Sequence, residues 1–160
     1  AHIKVAGISV LGVNGIKSRI KISAYGKYLR RLILKNRLEG KVRVLGNLSA
    51  EEMKREYLSA QIFVCPSAVE NSPNSVAEGQ LLGVPGASRT GGIPDVVKDG
   101  VSGLLCEKGN IHELAACVSR ILTDKQLAKE LSASERETAA KLYNGENNYQ
   151  KLIEIYQSIE

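Results

Sequence analysis

The sequence predicts an α/β fold, a Rossmann-like parallel sheet flanked by helices. Short apolar runs alternate with amphipathic helical segments along most of the 160 residues, and this alternation is typical of βαβ units. Glycines and polar residues follow the apolar runs, as they do where strands end at a ligand crevice. The chain therefore has the pattern of an open α/β sheet that can bind a ligand.

Four apolar runs have the composition of buried parallel strands. They are residues 2–8, 41–45, 61–65 and 86–88. A fifth run, residues 101–106, predicts a strand or an extended hairpin. Gly7 and Gly46, which end the first two strands, let the backbone pass close to a neighbour.

Helical segments lie between and after these runs, with apolar residues at the 3.6-residue period. The predicted helices are residues 24–38, a helix opened by Ser49, residues 74–82, a brief helix after Gly91-Gly92, a helix capped by Asn110, and residues 125–142 and 146–159. Gly40 is expected to end the first helix, and a capping box of Ser49 and Glu52 to open the second. The last two are predicted to be packing helices at the C-terminus.

Length and cysteine content indicate a single reduced domain, residues 1–160. The three cysteines, Cys65, Cys106 and Cys117, are an odd number and lie far apart, which predicts buried thiols in a cytoplasmic protein. No segment approaches the roughly 20 apolar residues of a membrane span. Because the chain starts at Ala1 and enters a strand almost at once, we expect it to be truncated on its N-terminal side.

Positive charge is concentrated in the first fifty residues. Residues 1–50 contain eleven Lys and Arg and one acid, Glu39, a charge of +10, whereas residues 51–160 contain eleven against sixteen, a charge of −5. This patch is interpreted either as a solvated helix face or as a surface for a diphosphate or an anionic membrane. Nucleic acid is not expected, because no aromatic stacking platform is predicted among the basic residues.

The segment between the third strand and the next helix carries the most functional information. Glu70 follows the strand at residues 61–65, and Glu78 lies near the start of the helix at residues 74–82. Both should face the crevice beyond the strand ends, where helix amides attract phosphate. A carboxylate there can accept hydrogen bonds from vicinal hydroxyls of ribose or a hexose. The pair therefore predicts a nucleotide site.

Each candidate also has a structural interpretation. Ser75 to Glu78 has the spacing of a capping box, Glu70 could be an exposed loop residue, and Gly91-Gly92 could serve only a turn. Their shared position at predicted strand ends favours a site.

Other chemistries have less support in the sequence. His2 and His112 have no Cys or carboxylate at ligand spacing around them, so no metal is expected. The Gly-x-Ser-x-Gly elbow, the P-loop and the dinucleotide fingerprint are absent from the 160 residues, so hydrolase, P-loop and dinucleotide-cofactor readings lack support.

A series of motifs follows the second predicted strand. They are Val44-Leu45-Gly46, Ala60 through Ser67, Glu70 through Glu78, Gly83-Val84-Pro85, Gly91 through Val97 and Asp99 through Leu105. In this order they resemble the C-terminal domain of the group 1 retaining glycosyltransferases. The resemblance is strong over residues 41–123, and looser in residues 1–40 and 124–160. Gly86 departs from the family's β-branched residue, which predicts a shortened strand.

The resemblance implies the C-terminal half of a GT-B enzyme, in which two Rossmann-like domains face each other and the C-terminal one binds a UDP- or GDP-sugar without a metal. By motif position, Glu70 would be the catalytic residue that meets hydroxyls of the transferred sugar, and Glu78 would bind the ribose. The other donor-binding residues implied in this way are Ser72, Pro73, Asn74, Ser75, Gly91 and Gly92.

The implied activity is retaining transfer to a saccharide or lipid-linked acceptor in polysaccharide biosynthesis, in the cytoplasm and with peripheral contact at the inner face of the membrane. The N-terminal acceptor domain is missing from this sequence, so the fragment alone is expected to be inactive. A GT-B sugar-nucleotide epimerase and a non-catalytic nucleotide-binding or interaction module are the alternatives.

Overall fold

The structure, a computed structural model, describes residues 1–7, 24–67, 71, 74–87 and 91–159. Strands and helices alternate as predicted. The elements are β1 (Ile3–Ala6), α1 (Ala24–Lys35), β2 (Val42–Gly46), α2 (Ala50–Ser59), β3 (Phe63–Val64), α3 (Asn74–Leu82), β4 (Gly86–Ala87), α4 (Ile93–Val96), α5 (Ile111–Thr123), α6 (Lys125–Leu142) and α7 (Gly145–Gln157). They divide into two compact units, Ala1–Arg55 and Glu56–Glu160.

The first unit contains a parallel strand pair, as the sequence predicts. β1 lies beside β2, with Ile3 opposite Val42 and Lys4 opposite Arg43. The Gly7 amide donates a hydrogen bond of 2.8 Å to the Gly46 carbonyl just beyond the paired residues. Parallel pairing requires a crossover connection, and α1 lies in that connection.

The end of α1 differs from the prediction. The helix ends at Lys35, not at residue 38, and Gly40 does not terminate it. Arg37 takes the left-handed conformation, with φ of 53°, and the Leu38 amide donates to the Ile33 carbonyl at 2.9 Å. This is the hydrogen bond that closes a Schellman motif, so Arg37 occupies the position where glycine is usual.

The capping box that opens α2 is confirmed. The Ser49 amide donates to Glu52 Oε2 at 2.8 Å, and the Glu52 amide donates to Ser49 Oγ at 3.4 Å. The hydrogen bond from the Ser49 amide is the largest cause that lowers the pKa of Glu52. Two helix-end amides are thus satisfied by side chains.

The second unit is built around a second parallel pair and two buried clusters. β3 pairs with β4 through Phe63 opposite Gly86 and Val64 opposite Ala87. One cluster contains Leu104, Cys106, Cys117, Ile121 and Leu131, and the other contains Cys65, Val76, Ile93, Val97 and Leu105. All three cysteines are buried and form no disulfide, which confirms their prediction as core thiols.

A buried glutamine joins three helices of this unit. Gln80 of α3 is fully buried. Its Nε2 donates to the Val96 carbonyl at 2.9 Å, and its Oε1 accepts from the Tyr143 hydroxyl at 3.1 Å. Val96 ends α4 and Tyr143 caps α6, so one satisfied amide fixes α3 against both neighbours.

Residues 101–106 do not form the predicted strand. A tight turn occupies their start, in which the Gly100 amide donates to the Gly103 carbonyl at 2.8 Å. Gly100 has φ of 72°, and Ser102 Oγ accepts from the Lys98 amide at 2.9 Å. Within the described residues, an isolated bridge joins Asp99 to Gly103. The Leu104 amide donates to the Gly86 carbonyl at 3.0 Å, so the run reaches β4 after the turn but adds no strand to it.

The C-terminal helices form close to their predicted bounds. Asn110 caps α5, its side chain accepting from the Glu113 amide at 3.1 Å, and α6 covers Lys125–Leu142. α7 keeps an exposed apolar stripe that includes Tyr149, Leu152 and Tyr156. Within the described ranges, no helix has the length and apolarity needed to cross a bilayer.

Candidate functional site

Three segments of the second unit converge at the carboxyl end of β3. They are the strand end at Cys65, the start of α3 and the turn that precedes α4. Cys65, Val76 and Ile93 come from these three segments and share one buried cluster. The strand end, the helix start and the turn are therefore held in a fixed arrangement at the edge where α/β proteins bind ligands.

The Gly91–Gly92 turn touches the loop that follows β3. A Cβ atom built on Gly92 would overlap the backbone carbonyl oxygen of Asn71. Gly91 has φ of 56°, a conformation that side chains with a Cβ rarely adopt. Glycine is therefore required at the two positions for different reasons. Gly91 adopts a positive φ, and the lack of a Cβ at Gly92 allows the loop and the turn to meet.

Some of the predicted site residues lie within the described part of the chain, and others do not. Asn74 and Ser75 are the first two residues of α3, where backbone amides have no intrahelical acceptor. Gly91 and Gly92 lie in the turn before α4. Glu70, Ser72 and Pro73 lie outside the described residues, so their roles stay predictions.

Glu78 lies near a buried tyrosine at the start of α3. It is the fifth residue of the helix and is exposed. Burial raises the pKa of Tyr57 to about 12, and the nearby negative charge of Glu78 adds to the shift. The Tyr57 hydroxyl donates its hydrogen to the Ser75 carbonyl at 2.9 Å. The phenol is therefore fixed to the first turn of α3, with the Glu78 carboxylate close by.

The bounds of α3 decide against the capping-box interpretation of Glu78. A capping box needs Ser75 at the position before the first helical residue, with Glu78 three residues later. Ser75 lies within the helix instead, since α3 begins at Asn74. Glu78 is therefore an interior residue of the helix, and helical side chains lean toward the N-terminus of their helix.

Tyr57 is the site residue that sequence reasoning missed. Its position on α2 fits the apolar face of a helix, and it is indeed buried, at 4% exposure. Its ring packs edge-on against Phe63, with centroids 5.4 Å apart. The only signal in the sequence was that a buried tyrosine needs a partner for its hydroxyl.

The arrangement suits an anionic ligand that also carries hydroxyls. The amides at the start of α3 and its positive dipole end favour phosphate. A carboxylate would repel phosphate but accepts hydrogen bonds from a diol. Among the residues that the structure describes, no three His, Cys, Asp or Glu side chains come together to hold a metal ion.

Fold and site together define an α/β domain in which a helix N-terminus and a glycine turn meet at the end of a parallel strand. The family model for glycosyl transferases group 1 matches residues 5–138. The chain belongs to this family, which confirms the resemblance seen in the motifs.

Curated relatives span the whole of this chain. An uncharacterized glycosyltransferase of Methanocaldococcus jannaschii, MJ1178, is 26% identical over 99% of this chain and 46% of its own length. The putative colanic acid biosynthesis glycosyltransferase WcaL of Salmonella typhimurium is 28% identical over 99% of this chain and 42% of its own length. The chain therefore spans less than half the length of these relatives.

Solved structures confirm the fold. Anabaena HepE in complex with UDP has a TM-score of 0.79 at 19% identity, over 98% of this chain and 49% of its own, and HepE is also solved with UDP-glucose and with UDP and glucose. The C-terminal domain of the group 1 protein LpcC from Francisella tularensis has a TM-score of 0.71 at 14% identity, over 88% and 86%. The predicted α/β fold of a partial GT-B chain is thus correct.

Proposed function

We propose that this chain is the donor-binding domain of a retaining glycosyltransferase that uses a UDP- or GDP-sugar. The observation that carries the proposal is the convergence of the α3 N-terminus, Glu78 and the Gly91–Gly92 turn at one strand end. Family membership supports glycosyl transfer, and the UDP complexes of HepE support a nucleotide-sugar donor.

In this proposal each part of the donor meets a different part of the site. The diphosphate lies against the first amides of α3, at Asn74 and Ser75, which offset the charge of the departing diphosphate. Glu78 accepts hydrogen bonds from the ribose hydroxyls, and Glu70 accepts them from the transferred sugar. Ser72, Pro73 and the Gly91–Gly92 turn complete the wall of the donor crevice.

The acceptor is proposed to be a saccharide or a lipid-linked saccharide in polysaccharide biosynthesis, to which the names of WcaL and of the amylovoran glycosyltransferase AmsK lend support. Residues 1–160 act as one domain, and a further N-terminal domain supplies the acceptor site, since the relatives are about twice as long. The fragment alone then binds donor without transferring sugar. The full-length protein is located in the cytoplasm, peripherally at the inner face of the membrane.

A nucleotide screen tests the donor class directly. Thermal unfolding of the chain is measured with UDP, GDP, ADP and their sugar conjugates, and one nucleotide is expected to raise Tm. At a concentration of 100 times Kd the stabilisation is about 2.7 kcal/mol, or roughly 5–10 °C for a chain of this size. No shift with any nucleotide at millimolar concentration would instead favour the interaction module. Conversion of the nucleotide-sugar into its epimer by the full-length protein, with no acceptor present, would favour the epimerase.

Glu78→Gln tests the ribose contact. The variant is expected to bind the preferred nucleotide about 1.5–3 kcal/mol more weakly, because a hydrogen bond to a charged acceptor is lost. Isothermal titration measures the affinity. The matched control is Glu154→Gln, the same change on the exposed face of α7, which should leave affinity unchanged.

A 2′-deoxynucleotide separates the ribose from the rest of the ligand. Wild-type protein should bind the deoxynucleotide more weakly than the ribonucleotide, whereas Glu78→Gln should show much less difference between the two. If both proteins discriminate equally, Glu78 does not contact that hydroxyl. If affinity falls equally for both nucleotides, Glu78 acts by fixing α3 through Tyr57.

A further inference from the structure

The exposed face of α1 carries cations without acids. The helix runs from Ala24 to Lys35 and contains no Asp or Glu. Its four cations are Lys27, Arg30, Arg31 and Lys35, and all four are exposed. In the same unit Arg37, Lys41 and Arg43 are exposed as well. A positive surface of this density attracts anions over about a Debye length.

Large apolar groups are interleaved with these cations. Leu34 is 51% exposed, Tyr28 is 56% exposed and Tyr25 is 61% exposed. The rings of Tyr25 and Tyr28 stack with centroids 6.4 Å apart, so an aromatic pair lies among basic residues where the sequence indicated no stacking platform. Helical spacing places Lys27, Tyr28, Arg31, Leu34 and Lys35 on one side, which we call the outer face of α1.

The opposite side of the helix faces its own unit. Gly26 is buried, and Leu29, Leu32 and Ile33 are partly buried. Leu34 and the tyrosines are therefore not the residues that pack α1 in place. A merely solvated helix face explains the cations but gives no role to an exposed leucine between Arg31 and Lys35.

The mixture of groups identifies the partner. Tyrosine rings and aliphatic side chains enter the interfacial region of a bilayer, and Lys and Arg beside them reach the anionic headgroups. We propose that the outer face of α1 binds an anionic membrane surface, with Leu34 and Tyr28 at headgroup depth. The inference goes beyond the donor site, since it uses none of the residues assigned to nucleotide binding.

Vesicle binding tests this surface. The 160-residue chain is mixed with phosphatidylcholine vesicles, with or without phosphatidylglycerol, and sedimented. We expect binding only to the anionic vesicles, and weaker binding at high salt. In the triple variant Lys27→Gln, Arg31→Gln and Lys35→Gln, the partition coefficient should fall roughly 100-fold, about fivefold for each cation.

A matched variant distinguishes the effect of this face from the effect of net charge. Lys108→Gln, Lys125→Gln and Lys129→Gln remove the same charge from exposed positions of the second unit, and should change the partition coefficient less than fivefold. An equal loss in the two triple variants, or no vesicle binding by the wild type, would overturn the proposal. Circular dichroism and the nucleotide-induced Tm shift show that each variant is folded.

Leu34→Gln distinguishes a lipid surface from an anionic polymer. This variant should bind anionic vesicles several-fold more weakly, while Leu152→Gln on α7, where the side chain is 47% exposed, should not. A single-stranded RNA oligomer serves as the polymer probe. If Leu34→Gln leaves vesicle binding intact, or if RNA binds more tightly than the vesicles, the face recognises anionic polymers and the membrane proposal fails.

Discussion

Replacing Ile93 by alanine is expected to lower the free energy of unfolding by about 2–5 kcal/mol. Ile93 is 2% exposed, and it packs in the cluster of Cys65, Val76, Val97 and Leu105. Truncation removes three methyl or methylene groups and leaves a cavity among side chains that belong to different elements. Urea denaturation followed by circular dichroism measures the loss.

Ile155→Ala is the matched control, because this isoleucine on α7 is 56% exposed. It should change stability by less than about 1 kcal/mol. Ile93 directly follows the Gly91–Gly92 turn, so its truncation should also weaken nucleotide binding by loosening that turn. A loss of stability for Ile93→Ala as small as the control's would show that this cluster does not organise the site.

Sequence patterns located most elements of this fold because their signals are local. Helical periodicity and capping residues gave the start of α5 and both ends of α6. The errors came from backbone conformations that composition does not specify. Arg37 adopts a left-handed φ and ends α1 early, and the turn at Gly100 replaces a strand that its apolar residues had indicated.

The sequence predicted the backbone positions of the candidate site, but not the side chain that packs behind them. Asn74, Ser75 and Gly92 fall where the motifs placed them, at the start of α3 and in the turn that meets Asn71. Tyr57 escaped notice because a buried tyrosine on an amphipathic helix first suggests packing. Its hydrogen bond to the Ser75 carbonyl and its position near Glu78 depend on how α2 and α3 approach each other, which periodicity does not give.

The burial of Glu135 was also not predicted from the sequence, for a different reason. A glutamate within a charged helix is ordinarily solvated, yet this side chain on α6 is 1% exposed. Its Oε2 has no hydrogen-bond partner within the described part of the chain. It lines a small apolar cavity together with Gly86, Ile93 and Val97, and Gly86 contributes no side chain to fill that space.

Burial raises the pKa of Glu135 from its ordinary 4.5 to about 8. The folded protein therefore keeps a proton there that the unfolded chain releases above pH 4.5. Between these two values the folded state binds more protons, so stability falls as pH rises, by up to about 1.4 kcal/mol for each pH unit. Above the folded pKa the decline ends, because both states are then ionised.

Glu135→Gln should remove this decline, since an amide of nearly the same shape does not titrate. Urea unfolding at intervals from pH 5 to pH 9 gives the difference in stability between variant and wild type. That difference should increase in favour of the glutamine variant up to about pH 8 and then level off. Glu130→Gln, on an exposed part of α6, is the control. Its free energy of unfolding should change with pH in parallel with that of the wild type.

The pKa shifts of Glu52, Glu137 and Tyr143 act outside the range of Glu135. Hydrogen bonds lower the pKa of both Glu52 and Glu137, so their contributions disappear only in acid. Burial, and then the charge of Glu135, raises the pKa of Tyr143 above its ordinary 10, beyond the alkaline end of the window. If the stabilities of the wild type and Glu135→Gln instead run parallel between pH 5 and pH 8, Glu135 takes up no proton on folding and is ionised and solvated in the folded protein.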